Sequence, residues 1–236
     1  MRDPNTLVKD AVSLLRNNYK LLLAIAAVPT ILQYIVGLLD ASIKIHNPIV
    51  QLAFSVLAFA VILASLFTAI AMTLAVDNPQ LTIGQAYKQA LKFFWRYIGM
   101  AIVVMIALSV AYLLLIIPGI ILSVWVSFAA FVLILEDGKI IDSLKKSREY
   151  VRGRWWSVFG RLVAAMLMFL VLMIITTIPL IWLNEAVVNL LFTVLNIFLL
   201  PLGTSYVYFM YQDAKSESGQ VESNPPVQLN PESKAE

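Results

Sequence analysis

The chain has 236 residues, of which 61% are hydrophobic and only 13% are charged. Soluble domains are about half apolar and about a quarter charged, so this composition predicts an integral membrane protein. One histidine and no cysteine exclude disulfides, thiolate metal sites and sites built from several histidines. The net charge of +3 is small, so the positions of the charges matter more than their sum. We expect no cofactor and no nucleic-acid partner.

Six apolar stretches are long enough to cross a bilayer. The first is longer than the apolar core of a signal peptide, so we interpret it as an uncleaved helix. The third and fourth share one charge-free stretch, 98–135, which would measure about 57 Å as a single helix and must fold back. Pro118 and Gly119 are the predicted helix turn. The predicted spans are about 21–39, 49–76, 98–117, 120–135, 162–183 and 187–211.

A short amphipathic segment precedes each pair of spans. In the second segment, Thr82 and Gln85 fit a capping box at the start of a helix. In the third, one face carries Ile140, Leu144, Ser147 and Val151. The predicted fold class is therefore an all-α integral membrane protein with six transmembrane helices, arranged as three hairpins that each follow a cytoplasmic interfacial amphipathic helix.

The positions of the charges predict the orientation. Sixteen of the seventeen Lys and Arg residues fall on the side that carries both termini, and only Lys44 lies on the other side. This bias places both termini in the cytoplasm. Residues 1–211 form the predicted membrane domain, and the polar tail 212–236 is predicted to be disordered and cytoplasmic. The tryptophans are predicted to mark the interfaces, with Trp95, Trp155 and Trp156 at the inner one and Trp125 and Trp182 near the outer one.

The densest group of charges is the segment 138–156, GKIIDSLKKSREYVRGRWW. It has a topological interpretation, because basic and aromatic residues flank spans on the cytoplasmic side. It also has an interpretation as a binding site for anionic lipid headgroups. Catalysis by Asp142 and Glu149 is disfavoured, because Lys145 and Lys146 lie within ion-pairing distance along the helix. The candidate headgroup residues are Lys145, Lys146, Arg148, Arg152, Arg154, Trp155, Trp156 and Arg161.

Polar residues inside the predicted spans are few and uncharged. Asn189 and Asn196 are one heptad apart and share a face, and we interpret them as packing residues that hydrogen-bond to neighbouring helices. The absence of ionisable groups from the predicted spans argues against an ion-coupled transporter.

Two possible metal sites are disfavoured. Asp40, His46 and Glu185 are too few ligands for a zinc site in the outer loops. The acidic pair 136–137 follows the fourth span, and we interpret it as a turn that ends the helix rather than as a cation site. No metal ligand is therefore predicted.

The stretch IIPGIILSVWVSFAAFVLILEDGKIIDSLKKSREYVRGRWWSVFG carries a recognisable pattern. A Pro-Gly-Ile turn is followed by a span that ends in an acidic residue, and then by an amphipathic helix of the form A/S-L-x-x-S-x-x-x-V-x-G-x-W. The pattern resembles a broad prokaryotic family of six-span inner-membrane proteins, which includes the membrane domain of some glycerophosphodiester phosphodiesterases. The matching residues are Pro118, Gly119, Ile120, Glu136, Ser143, Leu144, Ser147, Val151, Gly153, Trp155 and Gly160. We expect no attached phosphodiesterase domain, so the resemblance implies the fold and not that activity.

The sequence thus predicts a non-enzymatic multi-pass protein of a prokaryotic plasma membrane. We expect it to engage lipids of the anionic inner leaflet, or partner proteins, through its basic cytoplasmic face. A membrane-protein partner or a homo-oligomer is left open. The alternative is a transporter or flippase-like passage for a lipid-related solute, which requires a polar cavity that reaches Asn189 or Asn196.

Overall fold

The computed structural model describes residues 2–42, 48–177 and 185–223, and within these ranges all regular structure is helical. The helices are α1 (Pro4–Asn17), α2 (Tyr19–Ser42), α3 (Pro48–Asp77), α4 (Ile83–Leu114), α5 (Ile116–Val126), α6 (Ala129–Leu135), α7 (Ile140–Val151), α8 (Trp155–Thr177) and α9 (Glu185–Ser223).

Six segments of the described chain are long and apolar enough to cross a membrane. They are Tyr19–Gly37, Ile49–Asp77, Ile83–Leu114, Ile116–Leu135, Trp155–Thr176 and Val187–Gly219. The predictions of an all-α fold and of six spans are confirmed, and the chain is a multi-pass membrane protein.

The start of α4 has the predicted capping box. The Thr82 N–H donates to Gln85 Oε1 at 2.9 Å, and the Gln85 N–H donates to Thr82 Oγ1 at 3.3 Å. These two bonds satisfy backbone donors that have no partner within the helix. The helix then continues unbroken for 32 residues. The second amphipathic segment is therefore the beginning of the third span and not a separate helix.

The chain folds back at Leu115, three residues before the predicted turn at Pro118 and Gly119. Leu115 has an extended backbone, with φ −162° and ψ 147°, and separates α4 from α5. Pro118 lies in the first turn of α5, where a missing N–H breaks no helical hydrogen bond. Gly119 serves a different purpose, because a Cβ added to it would lie 2.4 Å from Cδ1 of Tyr112. It allows α5 to approach the Tyr112 ring of α4.

The predicted disorder of the tail is wrong for residues 212–223, which continue α9. Asp213 is only 8% exposed and Ala214 is fully buried. Asp213 Oδ1 lies 3.0 Å from Arg2 Nε, and its Oδ2 accepts the Arg2 N–H at 2.8 Å. The composition of the tail could not reveal a partner at the opposite end of the chain. Residues 224–236 lie outside the described residues.

The buried core lies towards one end of the bundle. It combines the end of α3 with α6, the buried faces of α1 and α7, and the part of α9 from Tyr206 to Ala214. The same end carries the ion pairs of the described chain, and we call it the charged end. In contrast, Leu113 and the neighbouring residues at the α4–α5 turn are largely exposed. The helix α8 contacts mainly α5 and α1, so it stands apart from the other spans.

Candidate functional site

The helix α7 is held in place by Ser147, at the break between α5 and α6. The Ser147 hydroxyl donates to the Trp125 carbonyl oxygen at 2.6 Å and accepts the Phe128 N–H at 3.2 Å. Both backbone groups lie where the helical hydrogen-bond ladder is interrupted, so they need partners from outside it. One buried hydroxyl satisfies both. This contact fixes which face of α7 is buried and leaves the basic face exposed.

The exposed face of α7 forms one side of a groove of about 770 Å³, which α5 and the start of α8 complete. We call it the basic groove. Its lining residues are Ile117, Ile121, Trp125, Lys145, Arg148, Glu149, Arg152, Gly153, Trp155 and Trp156. Three of these side chains are cationic and one is a carboxylate, so the groove carries a net positive charge. Five of the eight predicted headgroup residues are brought together here.

Aromatic rings frame the cations of the basic groove. The Arg148 guanidinium carbon lies 4.4 Å from the centroid of the Trp125 ring, a cation–π contact. The Trp155 and Trp156 rings meet edge to face at 4.7 Å, and Trp155 stacks on Phe159 at 4.9 Å. Trp156 is 78% exposed. Such rings have an apolar body and a polar N–H, which suits them to the boundary between lipid tails and headgroups.

Trp125 was predicted near the outer interface, and this prediction is wrong. The ring lies beside Arg148, among the basic residues that share its end of the bundle with Trp155 and Trp156. The prediction was based on the position of Trp125 along its span. It did not take into account that α7 packs back onto α5 and brings basic residues to Trp125. Trp182, which was predicted at the same interface as Trp125, lies outside the described residues.

A second, smaller furrow lies beside the basic groove between α4 and α5. Its volume is about 270 Å³, and it shares Trp125, Lys145 and Arg148 with the groove. The remaining lining residues are apolar: Val103, Val104, Ala107, Leu122, Val126, Ile141 and Leu144. The two cations therefore lie between two apolar tracks.

The other three predicted headgroup residues lie elsewhere at the charged end. Lys146 pairs with Glu136 at 3.0 Å, and Arg154 pairs with Glu217 at 3.1 Å. Arg161 Nε donates to the Arg2 carbonyl oxygen at 2.9 Å. These contacts join α7, the loop after it and α8 to the end of α6, to α9 and to the segment before α1. We therefore assign Lys146, Arg154 and Arg161 to the architecture of the charged end.

Glu136 is the centre of this architecture, which the sequence indicated only as a turn. Its Oε1 accepts hydrogen bonds from the hydroxyls of Tyr150 at 2.8 Å and Tyr211 at 2.7 Å, and lies 3.2 Å from Lys215 Nζ. Its Oε2 pairs with Lys146. Burial alone would raise the pKa of this carboxyl, but the hydrogen bonds from Tyr211, Lys146, Tyr150 and Lys215 together lower it to about 2. The helix α6 does end beside it, as predicted.

The neighbouring residue, Asp137, binds α4. Its carboxylate lies 2.9 Å from Lys92 Nζ and 2.7 Å from an Arg96 guanidinium nitrogen. Hydrogen bonds from Lys92 and Arg96 lower the pKa of this exposed carboxyl. Asp137 has a positive φ of 51°, which is uncommon outside glycine and tolerated best by Asp and Asn. Both acids of the pair thus serve as anchors for cationic side chains.

The predicted contact of Asn196 with a neighbouring helix is wrong for its amide nitrogen, which donates to Phe192 O of its own helix at 2.8 Å. Asn189 and Asn196 instead line a cavity of about 420 Å³ between α2, α3 and α9, which we call the span cavity. The outer-loop acids and the histidine that were considered for zinc cannot be placed, because the side chains of Asp40, His46 and Glu185 lie outside the described residues.

Residues 90–208 match the profile of a domain of unknown function, DUF7847. The chain belongs to this family. The matched region runs from α4 into α9, so every residue that lines the basic groove lies within the DUF7847 domain. No curated protein and no solved structure matches the chain.

Proposed function

We propose that this protein is a non-enzymatic module of a prokaryotic plasma membrane that binds an anionic phospholipid of the inner leaflet in the basic groove. The observation that carries the proposal is that Lys145, Arg148 and Arg152 have no carboxylate partner in the described part of the chain. They line one groove with apolar walls, and within the described ranges none of them forms an ion pair with a carboxylate.

The contrast with the rest of the charged end supports this proposal. Lys92, Arg96, Lys146, Arg154 and Lys215 each lie within ion-pair distance of an acidic side chain. The cations of the groove keep their charge available for an outside anion. A lipid phosphodiester is such an anion, and attraction to an anionic surface is worth about 1 kcal/mol for each basic residue.

The apolar surroundings favour a lipid over a soluble phosphate compound. Ile117 and Ile121 extend the groove along α5 for roughly 12 Å beyond the level of Trp125. The furrow between α4 and α5 forms a second apolar track on the other side of Trp125. A headgroup held by Arg148 and Lys145 would leave two tracks for two acyl chains.

The orientation and location are part of the same proposal. The positive-inside bias supports a cytoplasmic position for the charged end and for both termini. Resemblance to the membrane domain of glycerophosphodiester phosphodiesterases supports a prokaryotic plasma membrane. In that orientation the basic groove lies at the headgroup layer of the inner leaflet, where anionic lipids are available.

The test is native mass spectrometry of the purified protein with equal amounts of phosphatidylglycerol and phosphatidylcholine. The variant Lys145→Gln/Arg148→Gln/Arg152→Gln is compared with the wild type. We expect the wild type to retain phosphatidylglycerol preferentially. At about 1 kcal/mol for each residue, the triple variant should lose affinity for it by about 100-fold.

A matched control removes the same charge from outside the groove. Arg16, Lys88 and Lys139 are exposed basic residues that do not line it. Arg16→Gln/Lys88→Gln/Lys139→Gln should retain the lipid. An equal loss in both triple variants would mean that the basic residues act only through general attraction, and the proposal would fail. Displacement of the lipid by a co-purifying acidic protein would identify the groove as a protein interface and would also contradict it.

A further inference from the structure

The span cavity is a polar site within the membrane-spanning part of the protein, and it is separate from the basic groove. It lies between α2, α3 and α9 and has a volume of about 420 Å³, within the range of small-molecule binding sites. Its lining residues are Pro29, Thr30, Gln33, Tyr34, Gly37, Ser65, Asn189, Phe192, Thr193, Asn196 and Leu200. Seven of these carry a hydroxyl or an amide, an unusual density for a span.

Three of the four hydroxyl groups of the cavity already donate a hydrogen bond within their own helix. Thr30 donates to the Ala26 carbonyl oxygen at 2.8 Å, Ser65 to Val61 at 2.9 Å and Thr193 to Asn189 at 2.8 Å. What these three groups still offer is acceptor lone pairs. The cavity therefore favours a ligand that donates hydrogen bonds.

The amide groups add both donors and acceptors. Within the part of the chain that the structure describes, the side chains of Gln33 and Asn189 have no hydrogen-bond partner, although both lie in predicted spans. A polar group left without a partner in hydrocarbon is unfavourable by at least about 1 kcal/mol, so these amides favour an occupied cavity. Asn196 retains its carbonyl oxygen, since only its nitrogen is bonded to Phe192.

The charge and setting of the cavity restrict the ligand further. None of its described lining residues is charged, so an anionic or cationic ligand would be buried without a counter-ion. The aliphatic residues beside the cavity on α2 and α9 are exposed: Ile31, Ile35, Leu190 and Val194. These residues face lipid tails, so the ligand can approach from the bilayer.

We propose that the span cavity binds the headgroup of a neutral, hydroxyl-bearing lipid, such as a diacylglycerol or a neutral glycolipid. Hydroxyl groups donate to Thr30, Ser65 and Thr193, while the amides of Gln33 and Asn189 bind the remaining oxygens. Phosphatidylcholine has no hydrogen-bond donor and carries charges, so it fits poorly. The inference is independent of the basic groove.

The experiment is native mass spectrometry of the whole protein in micelles that contain equal amounts of dioleoylglycerol, monoglucosyl-dioleoylglycerol and phosphatidylcholine. We expect the wild type to retain a hydroxyl-bearing lipid in preference to phosphatidylcholine. In the variant Asn189→Leu/Asn196→Leu, the amount of that adduct should fall at least about fivefold. Gly37→Leu, which adds volume at a position where a Cβ meets open space, should reduce it as well.

Two controls keep the result interpretable. Gln51→Leu makes the same kind of change on α3 at a residue that does not line the cavity, and it should leave the adduct unchanged. Thermal unfolding of each variant shows that it is folded, which is expected because leucine is stable in lipid-exposed helices. An equal neutral-lipid adduct in wild type and double variant would overturn the inference. So would conversion of a wild-type dimer to a monomer by the double variant, since a second copy would then fill the cavity.

Discussion

At the scale of single residues, α7 carries two buried serines with opposite surroundings. Ser147 has two partners, the Trp125 carbonyl oxygen and the Phe128 N–H. Ser143 lies one helical turn earlier and is equally buried, but its hydroxyl has no partner among the described residues. The pair therefore separates the effect of a satisfied buried hydroxyl from the effect of a buried hydroxyl as such.

Substitution of these serines gives a matched prediction. Ser147→Ala leaves a carbonyl and an N–H unsatisfied at the break, which should lower the free energy of unfolding by about 1–3 kcal/mol. Ser143→Ala removes a hydroxyl that is already unsatisfied, so it should be neutral or stabilising. Thermal unfolding in one detergent would compare the two variants. Equal losses in both would contradict the assigned role of Ser147.

The basic groove illustrates which part of the site the sequence could predict. The sequence predicted the location of the cationic segment, because basic and aromatic residues concentrate in residues 138–156. The sequence did not show which of these cations are paired, because the acid that binds Lys146 follows α6 and the acid that binds Arg154 lies near the end of α9. Long-range ion pairs leave no local pattern. The groove residues could therefore be distinguished from the structural cations only after folding.

At the scale of elements, the Pro-Gly motif of the fourth span has a packing role rather than a turn role. The sequence placed the turn correctly to within three residues, because a charge-free stretch of that length has to fold back. It could not show that Gly119 faces Tyr112, or that the Tyr112 and Ser123 hydroxyls lie 3.0 Å apart. Both facts depend on how α5 docks against α4.

This contact predicts the effect of a methyl group. Gly119→Ala places a Cβ against the Tyr112 ring, so the ring must move and its contact with Ser123 is disturbed. We expect a loss of about 1–3 kcal/mol from overpacking, measured by thermal unfolding. Tyr112→Ala should remove most of this penalty in the double variant. Gly160→Ala in α8 meets open space and should have little effect. A similar loss at both glycines would point to a general effect of helix glycines instead.

At the scale of the whole molecule, Glu136 joins three helices through one carboxylate. It binds Lys146 and Tyr150 of α7, and Tyr211 and Lys215 of α9, while it is itself the residue that follows α6. The carboxylate is only 12% exposed, so it is held mainly by protein groups rather than by water. Loss of its charge would weaken contacts throughout the charged end.

The depressed pKa of Glu136 makes the stability depend on pH. The folded pKa is about 2, against an ordinary value of 4.5. The contribution of the Glu136 carboxylate to the stability of the folded protein is therefore fully present above pH 4.5 and is lost as the pH falls towards 2. We expect the unfolding temperature to fall over this window. Glu136→Gln should lower it at pH 7 and flatten the pH dependence.

Glu149→Gln, which changes an exposed carboxylate of α7, provides the control and should change neither the stability at pH 7 nor the slope appreciably. A wild-type slope retained in Glu136→Gln would show that other carboxylates, such as Asp137, dominate the acid response.

The contact between Arg2 and Asp213 joins residues that are 211 positions apart, and Glu136 requires side chains of the last helix. During synthesis, both sets of contacts must wait until α9 has left the ribosome. The earlier spans therefore enter the bilayer before the charged side chains at the charged end have all of their partners. The helix α9 therefore completes the charged end, and a chain interrupted before residue 211 would expose those charges to cellular quality control.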